Sequence, residues 1–245
     1  MKTTNFENIS VVEKYRKYLL VNKYFGKPTF LKFIGNVRGL KILDCGCGTG
    51  HLTRDLQKRG ATCTGIDKSE NIIEIAKSIE AEEKAGIKYY HLDAANLKGI
   101  RAGTFDKIIM FQVILNVPRI NELRNIFSES RRVLKNNGEI VFTNLHPLLI
   151  QNYKDNLREI ILPKYYDYYK NGITYTARHL TTDFKWMKFR NSHWTLEFLT
   201  KILKENGLAI TEIEEPKPKK DNFWKYFRNI IKMPHYIFFK ARVLS

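Results

Sequence analysis

The chain has 245 residues, 43% of them hydrophobic, which is enough to bury one good-sized core and to add a small lid. It carries 42 Lys and Arg against 25 Asp and Glu, a formal charge of +17, but the basic residues are spread along the whole chain. This argues against a single dedicated basic block. Two interpretations stay open: a solvated basic surface, or a surface that attracts nucleic acid, anionic lipid or an acidic substrate.

Three cysteines, Cys45, Cys47 and Cys63, lie in or beside the first two predicted strands, without further Cys or clustered His. The pattern argues against a zinc or disulfide framework and predicts no metal. We interpret Cys45 and Cys47 as small turn-packing residues in preference to nucleophiles. The opening segment MKTTNFENIS lacks the apolar run of a signal peptide, and no stretch approaches the ~18 apolar residues of a membrane span. We therefore expect a cytoplasmic protein.

Along the chain, helical spacing predicts two short helices between 11 and 35, broken at Gly26 to Pro28. From Lys41 onward, short apolar strands alternate with helix-length segments. In order, these are the strand KILDC, the helix HLTRDLQKRG, the strand ATCTGID, the helix SENIIEIAKSIEAEEKAG, the strands IKYYHLD and FDKIIMFQVI, the helix RINELRNIFSESRRVLKNNG and the strand GEIVFTNLHP. Such alternation is typical of right-handed crossovers and a parallel sheet covered on both faces.

After Pro147 the alternation stops, and a segment rich in Tyr, Phe and Trp follows. Its turn signal Asn171-Gly172 precedes two alternating runs, ITYTARHL and DFKWMKFR, which predicts a small β-containing cap. The helix TLEFLTKILKENG and a closing antiparallel pair, LAITEIEEP and HYIFFKARVL, complete an α/β fold with a doubly wound, mostly parallel seven-stranded sheet and an antiparallel last strand. The predicted parts are N-terminal helices over the active site (1–37), a cofactor-binding core (38–147), an aromatic-rich cap (148–192) and the rest of the sheet (193–245).

The most specific chemistry lies in KILDCGCGTGHL, where a strand ending at Asp44 runs through Gly46, Gly48 and Gly50 into a helix. Glycines here allow a sharp turn and let a ligand approach backbone N–H groups at a helix N-terminus. A dinucleotide turn would place its third glycine at position 51, which is His51, and the P-loop lysine is absent as well. The spacing instead suits a cationic nucleoside such as S-adenosylmethionine, whose charge favours a carboxylate such as Asp44.

Two further acids end neighbouring predicted strands. Asp67 follows Asp44 at about the ~20-residue interval of a ribose-binding carboxylate. Asp93 ends the third strand, where its side chain and the Ala94 N–H would read an adenine edge; a plain helix N-cap is the alternative. Because ligands bind at the carboxyl ends of parallel strands, we expect the three acids to share one site.

Together these motifs resemble the class I S-adenosylmethionine-dependent methyltransferases, a Rossmann-like family. The resemblance covers Gly39 to about Pro147 well and the C-terminal segment more loosely. It implies S-adenosylmethionine as cofactor and S-adenosylhomocysteine as product. It also implies a set of cofactor-binding positions: the first motif with Asp44, Gly46, Cys47, Gly48 and Gly50, the ribose acid Asp67, Lys68 against adenine, the adenine-side pair Asp93 and Ala94, and Gln112 near the methionine part.

Methyl transfer is an in-line displacement, so the enzyme aligns, desolvates and, when needed, removes a proton. The candidate bases or substrate contacts are His146, at the end of the fifth predicted strand, and His193, before the next helix. Each has an alternative role as a structural hydrogen-bonding residue.

The aromatic segment predicts a roof over a planar or hydrophobic small molecule, with ordinary cap packing as the alternative. The candidate substrate contacts are Tyr15, Tyr166, Tyr169, Tyr175 and Trp186. The C-terminal run also resembles small-molecule members of the family, which fixes no substrate.

Three other hypotheses stay open. An RNA methyltransferase would use the basic surface and stacking aromatics, but FQVILN stands where an Asp/Asn-Pro-Pro-aromatic motif would, and no Pro-Cys motif exists. A non-catalytic, cofactor-binding partner or regulator would keep the fold without the reaction. The segment DNFWKYFRNIIKMP could lie on an anionic membrane, with core packing as its alternative.

Overall fold

A seven-stranded sheet forms the centre of the computed structural model, which describes residues 22–150, 153–154, 158–217 and 234–244. Its strands are β1 (Lys41–Cys45), β2 (Thr62–Asp67), β3 (Lys88–His91), β4 (Phe105–Met110), β5 (Leu134–Leu145), β10 (Leu208–Glu214) and β11 (Tyr236–Val243). The order is β10-β11-β5-β4-β1-β2-β3, and β11 runs antiparallel to both of its neighbours. The predicted fold class, a mostly parallel sheet with an antiparallel last strand, is confirmed.

Helices cover both faces of this sheet, as alternating apolar residues require. They are α1 (Lys27–Ile34), α2 (His51–Lys58), α3 (Glu70–Glu83), α4 (Ile120–Val133) and α5 (Leu196–Glu205). Successive strand residues point to opposite faces, so Ile42 belongs to one apolar cluster with Leu56 and Leu43 belongs to the other with Phe127. None of the helices in the described part of the chain is long and apolar enough to cross a membrane.

A second, four-stranded antiparallel sheet forms the predicted cap after β5. Its strands, in spatial order, are β6 (Tyr153–Lys154), β7 (Arg158–Ile161), β8 (Thr174–Leu180) and β9 (Trp186–Ser192). The two strands that the sequence predicted correspond to β8 and β9, whereas β6 and β7 were missed because no clear alternation marks them. The inner face of the cap sheet belongs to the same apolar cluster as Tyr236 of β11 and Phe25. The inner face of the cap sheet therefore shares one apolar cluster with residues on one face of the main sheet. The four-part division of the chain stays a prediction.

The boundary predicted at Gly26 to Pro28 coincides with a change of helix type: a π-helical turn (Asn22–Gly26) ends where α1 begins, and Pro28 lies in the first turn of α1, where its missing N–H costs no hydrogen bond. Another local prediction was wrong. The helix predicted to reach Gly138 ends at Val133, since residues 134–138 already belong to β5. Tyr15 and most of the proposed membrane segment lie outside the described residues.

Candidate active site

The glycine turn joins β1 to α2 at the carboxyl edge of the sheet. Asp44, only 2% exposed, accepts a 2.6 Å hydrogen bond from the Thr53 hydroxyl, and this bond holds the turn against α2. Burial raises the pKa of Asp44 to about 7, against the effect of the Thr53 hydrogen bond. Gly46 has a φ of +67°, and a Cβ there would lie 2.7 Å from the Val113 Cγ2 atom. The turn therefore needs glycine for backbone conformation and for close packing.

Asp67, the last residue of β2, is hydrogen-bonded to this turn. Its Oδ2 accepts the Gly48 backbone N–H at 3.1 Å and its Oδ1 accepts the Ser69 N–H at 3.0 Å. Burial raises the pKa of Asp67, whereas these backbone N–H groups oppose the rise. Ser69 caps α3 by accepting a hydrogen bond from the Ile72 N–H. The carboxylate is thus oriented before any ligand arrives.

A cleft opens at the carboxyl ends of β1, β2, β3 and β4, where open α/β sheets bind their ligands. Its lining residues are Gly46, Asp67, Lys68, Ile72, Leu92, Asp93, Ala94, Phe111, Gln112, Val113, Asn116, Val117, Glu122 and Ile126. One side offers acids for ribose and positively charged groups, and another offers apolar side chains for a flat base. This set of donors, acceptors and apolar surfaces fits S-adenosylmethionine.

Six of the ten predicted cofactor residues line this cleft: Gly46, Asp67, Lys68, Asp93, Ala94 and Gln112. The other four do not line it but belong to the turn beside it: Asp44, Cys47, Gly48 and Gly50. Reasoning from motifs missed the apolar lining and Glu122, whose Oε1 lies 3.5 Å from the Lys68 Nζ atom. Glu122 lies in the first turn of α4. Its position beside the cleft depends on tertiary packing, which no spacing rule in the sequence predicts.

Two of the predicted contacts have distinctive backbone geometry. Gln112 has a φ of +61°, uncommon for a non-glycine residue, and both its backbone N–H and its side-chain Nε2 donate to the Thr143 hydroxyl of β5, at 2.9 and 3.1 Å. Asp93 accepts the Ala95 N–H at 2.8 Å through its Oδ1, so it caps a turn and not a helix. Both residues are held in place at the cleft wall.

The two candidate bases differ in the hydrogen bonds of their ring nitrogens. Both nitrogens of His146 have partners: Nε2 lies 2.6 Å from the Glu215 carboxylate, and Nδ1 accepts a hydrogen bond from the Leu148 N–H at 3.2 Å. His193 donates from Nε2 to the Tyr168 carbonyl at 2.8 Å, which leaves Nδ1 as the unprotonated acceptor. That atom is buried without a hydrogen-bond partner among the described residues, and burial lowers the pKa of His193.

The aromatic residues of the cap fall into two groups. Tyr175 is buried on the inner face of β8. The Tyr166 hydroxyl is also buried, and the centres of the Tyr166 and His193 rings lie 5.4 Å apart. Tyr169 is 83% exposed, and Trp186 lies on the outer face, where its ring meets the Arg178 guanidinium. The structure thus brings Tyr166 and Tyr175 toward the core, whereas Tyr169 and Trp186 stay outside it. Trp186 points outward because successive side chains of β9 alternate between the two faces of the cap sheet.

All three thiols are buried and free of disulfides. Burial raises the pKa of Cys63 to about 12 and holds the pKa of Cys47 well above its usual range, with nearby Asp44 adding to the rise. Protonated thiols are poor nucleophiles, so these residues act through packing.

Known proteins match this chain in sequence and in fold. Residues 43–142 match the family model described as a methyltransferase domain. A Haemophilus influenzae protein of uncharacterised function is 28% identical over 98% of this chain and 97% of its own length. A ubiquinone biosynthesis O-methyltransferase from Nitrosococcus oceani is 32% identical, but the match covers 49% of this chain and 50% of that relative.

Two solved structures share the architecture. An S-adenosylmethionine-dependent methyltransferase from Mesorhizobium loti has a TM-score of 0.63 at 21% identity, covering 88% of this chain and 96% of that one. The CcbJ methyltransferase from Streptomyces caelestis has a TM-score of 0.68 at 16% identity, covering 91% and 90%. At such low identities, these matches show the fold.

The sheet order defines a doubly wound α/β fold, with Asp67 and Asp93 at the cleft where such folds bind their ligands. The methyltransferase-domain match over residues 43–142 and the shared fold support the predicted resemblance to the class I S-adenosylmethionine-dependent methyltransferases.

Proposed function

We propose that this enzyme transfers a methyl group from S-adenosylmethionine to an oxygen, nitrogen or carbon atom of a small aromatic or hydrophobic metabolite that binds under the cap. The observation that carries the proposal is the continuity between the cap and the cofactor cleft. Phe111 lines the cleft and packs against the same apolar cluster as Tyr166 and Tyr175. An acceptor seated there would lie beside the cofactor's reactive end.

The junction between cap and cleft is firmly built. The Trp194 indole N–H donates to the Ile114 carbonyl at 2.9 Å, and Trp194 is fully buried. Ile114 lies between Gln112 and Asn116, which both line the cleft. His193 directly precedes Trp194, and its ring contacts the rings of Tyr166 and Tyr168. This arrangement supports the cap as the acceptor-binding part of the protein.

When bound, S-adenosylmethionine supplies an electrophilic methyl group. The residues of the chain then have three tasks. Asp67 and Asp93 accept hydrogen bonds from the nucleoside, Tyr166 and Tyr175 exclude water from the acceptor, and His193 accepts a proton at Nδ1 when the acceptor atom must lose one. We assign His146 a structural role, because both its ring nitrogens already have partners.

Names of relatives add limited support. The relative from Nitrosococcus oceani is named for O-methylation in ubiquinone biosynthesis, which is small-molecule chemistry, but it matches only about half of each chain. Accordingly, we propose the acceptor class and not an individual acceptor.

The test is transfer of a labelled methyl group from S-adenosylmethionine to fractionated small-molecule extract and, separately, to total RNA. We expect label in an organic-soluble small molecule. Label in RNA would overturn the acceptor class. Tight binding of S-adenosylhomocysteine without label in either fraction would instead favour a non-catalytic partner or regulator.

A further inference from the structure

The crossover from β3 to β4 differs from the other three crossovers between parallel strands, because it contains no helix. Residues 92–104 form turns only, whereas α2, α3 and α4 lie in the other crossovers. Leu97 of this segment shares an apolar cluster with Leu43 and Ile66, so it covers one part of the sheet face. Nearer the amino ends of β1, β2 and β3, that face carries polar side chains that are exposed or half-buried. Part of the face is thus left without a covering helix.

Strand register places five of these side chains together in a groove. They are Lys41 of β1, Thr62 and Thr64 of β2, and Lys88 and Tyr90 of β3. Residues two apart on a strand, such as Thr62 and Thr64, point to the same face. Thr62 lies beside Lys41 in the sheet, and Thr64 lies beside Lys88. The turn segment adds a wall with Lys98 and Arg101. We call this site, defined by its four cations and Tyr90, the basic groove.

The basic groove is lined by four cations and, among the described residues, by no acid. All four cations are exposed, and none forms an ion pair with another described residue: Lys41, Lys88, Lys98 and Arg101. Asp106 accepts a hydrogen bond from the Lys41 backbone N–H, but its carboxylate already pairs with Lys135. Charges of one sign without counter-ions raise the local positive potential, which attracts anionic ligands. The groove therefore favours a ligand that carries several negative charges.

Tyr90 adds an aromatic surface to the basic groove. It is 45% exposed and lies on the same face of β3 as Lys88, two residues before it. Thr62 and Thr64 place hydroxyl groups on the floor, which donate and accept hydrogen bonds. Proteins that bind single-stranded nucleic acids combine such features, because cations along a groove attract the phosphates and an aromatic ring stacks on a base. An anionic membrane would instead favour a floor of apolar side chains beside the cations.

We propose that the basic groove binds a single-stranded nucleic acid, with its phosphates along the four cations and one base stacked on Tyr90. Lys41 and Lys88 begin β1 and β3, which are separated by β2 and so lie about 10 Å apart, a spread that suits successive phosphates of one strand. The groove lies toward the amino ends of these strands, whereas the cofactor cleft lies at their carboxyl ends, and the two share Leu92. The nucleic acid is therefore a bound partner and not the methyl acceptor. This inference goes beyond the proposed function.

The test measures binding of the whole protein to a fluorescein-labelled oligouridylate of about 12 nucleotides, by fluorescence anisotropy at several salt concentrations. Four phosphate contacts predict a slope of about −3 for the logarithm of affinity against the logarithm of salt concentration. We expect Lys88→Ala and Arg101→Ala each to weaken binding at least about three-fold and to reduce the steepness of that slope by about 0.7. Lys201→Ala is the matched control, because it removes the same charge from an exposed position on α5, which contacts β10 at the other end of the sheet. It should change neither quantity.

Tyr90→Ala tests the stacked base, and we expect about ten-fold weaker binding of the oligonucleotide. Tyr165→Ala, at a 58% exposed tyrosine of the cap, should leave the affinity unchanged. An equal loss in Lys201→Ala, or no binding by the wild type at low salt, would overturn the inference. Binding of phosphatidylglycerol vesicles without binding of the oligonucleotide would overturn the choice of a nucleic acid. Transfer of labelled methyl groups to the oligonucleotide would count against the proposed acceptor class and not against the groove, so the two failures are distinguishable.

Discussion

The backbone N–H of Gly48 donates to the Oδ2 of Asp67 at 3.1 Å, so the glycine turn after β1 and the end of β2 hold each other in place. This contact makes Asp67, the proposed ribose-binding acid, part of the turn that shapes the site. A change at either residue should therefore affect cofactor binding before it affects the global fold.

Asp67→Asn tests that relationship. The amide keeps one acceptor for Gly48 or Ser69 but removes the charge that strengthens hydrogen bonds to ribose hydroxyls. We expect the affinity for S-adenosylhomocysteine to fall by about ten-fold or more in calorimetry, with little change in the unfolding midpoint. Asp106→Asn is the control, since Asp106 begins β4 at the opposite edge of the sheet and pairs with Lys135. Equal affinities for Asp67→Asn and wild type would contradict the assignment of Asp67.

Gly46→Ala separates backbone strain from close packing. Gly46 and Gly103 have similar φ values, +67° and +62°, but a Cβ at Gly46 would meet Val113 whereas Gly103 faces open space. We expect Gly103→Ala to cost about 1 kcal/mol and Gly46→Ala about 1–3 kcal/mol more in urea unfolding. Adding Val113→Ala to Gly46→Ala should recover part of the difference. Equal costs at the two glycines would show that packing is unimportant there.

The raised pKa of Asp44 predicts how the free energy of unfolding depends on pH. Burial raises its pKa to about 7 from an ordinary value near 3.8, so the folded state binds the proton more strongly. The corresponding stability is complete below about pH 4 and is lost as the pH rises through 7. Relative to Asp44→Asn, we expect the unliganded wild type to lose on the order of 2 kcal/mol of unfolding free energy between pH 5 and 8. Parallel pH profiles for the two proteins would contradict this prediction.

The same carboxyl group links cofactor binding to proton release. A positively charged nucleoside favours ionised Asp44, so S-adenosylmethionine should bind more tightly at pH 8 than at pH 6 and should release protons on binding. Calorimetry at pH 6.5 in buffers of different ionisation enthalpy measures that release. The effect should disappear in Asp44→Asn, and its persistence there would assign the proton to another group.

Substitution by glutamine should have different effects at His193 and at His146. At position 193, the glutamine amide can still donate to the Tyr168 carbonyl but lacks the free acceptor of Nδ1. We expect His193→Gln to lower methyl transfer to the small-molecule fraction at least about ten-fold, with S-adenosylhomocysteine affinity unchanged. His146→Gln should retain turnover and lose thermal stability, because its bond to Glu215 anchors a strand end. The opposite pattern would exchange the two roles.

Much of the fold followed from local sequence patterns. Alternation of apolar strands and helices predicted the doubly wound sheet, because each element shows its own period before any tertiary contact forms. Ser69 and the glycines at 46, 48 and 50 marked local turns and caps that depend on nearby residues alone. Errors arose where local patterns are weak: β6 and β7 were missed, and the helix was extended past Val133, although Leu134 already pairs with Phe105 of β4.

The sequence by itself indicated the class of cofactor, since a strand-end acid and three glycines at fixed spacing leave few ligands that fit. Tertiary structure alone decided which histidine keeps a free nitrogen, which cap aromatics turn inward, and that Lys41, Lys88 and Arg101 line one groove. Those residues lie far apart along the chain or face a side of the sheet that only strand register specifies. Their positions follow from packing between elements, and a local pattern carries no information about packing.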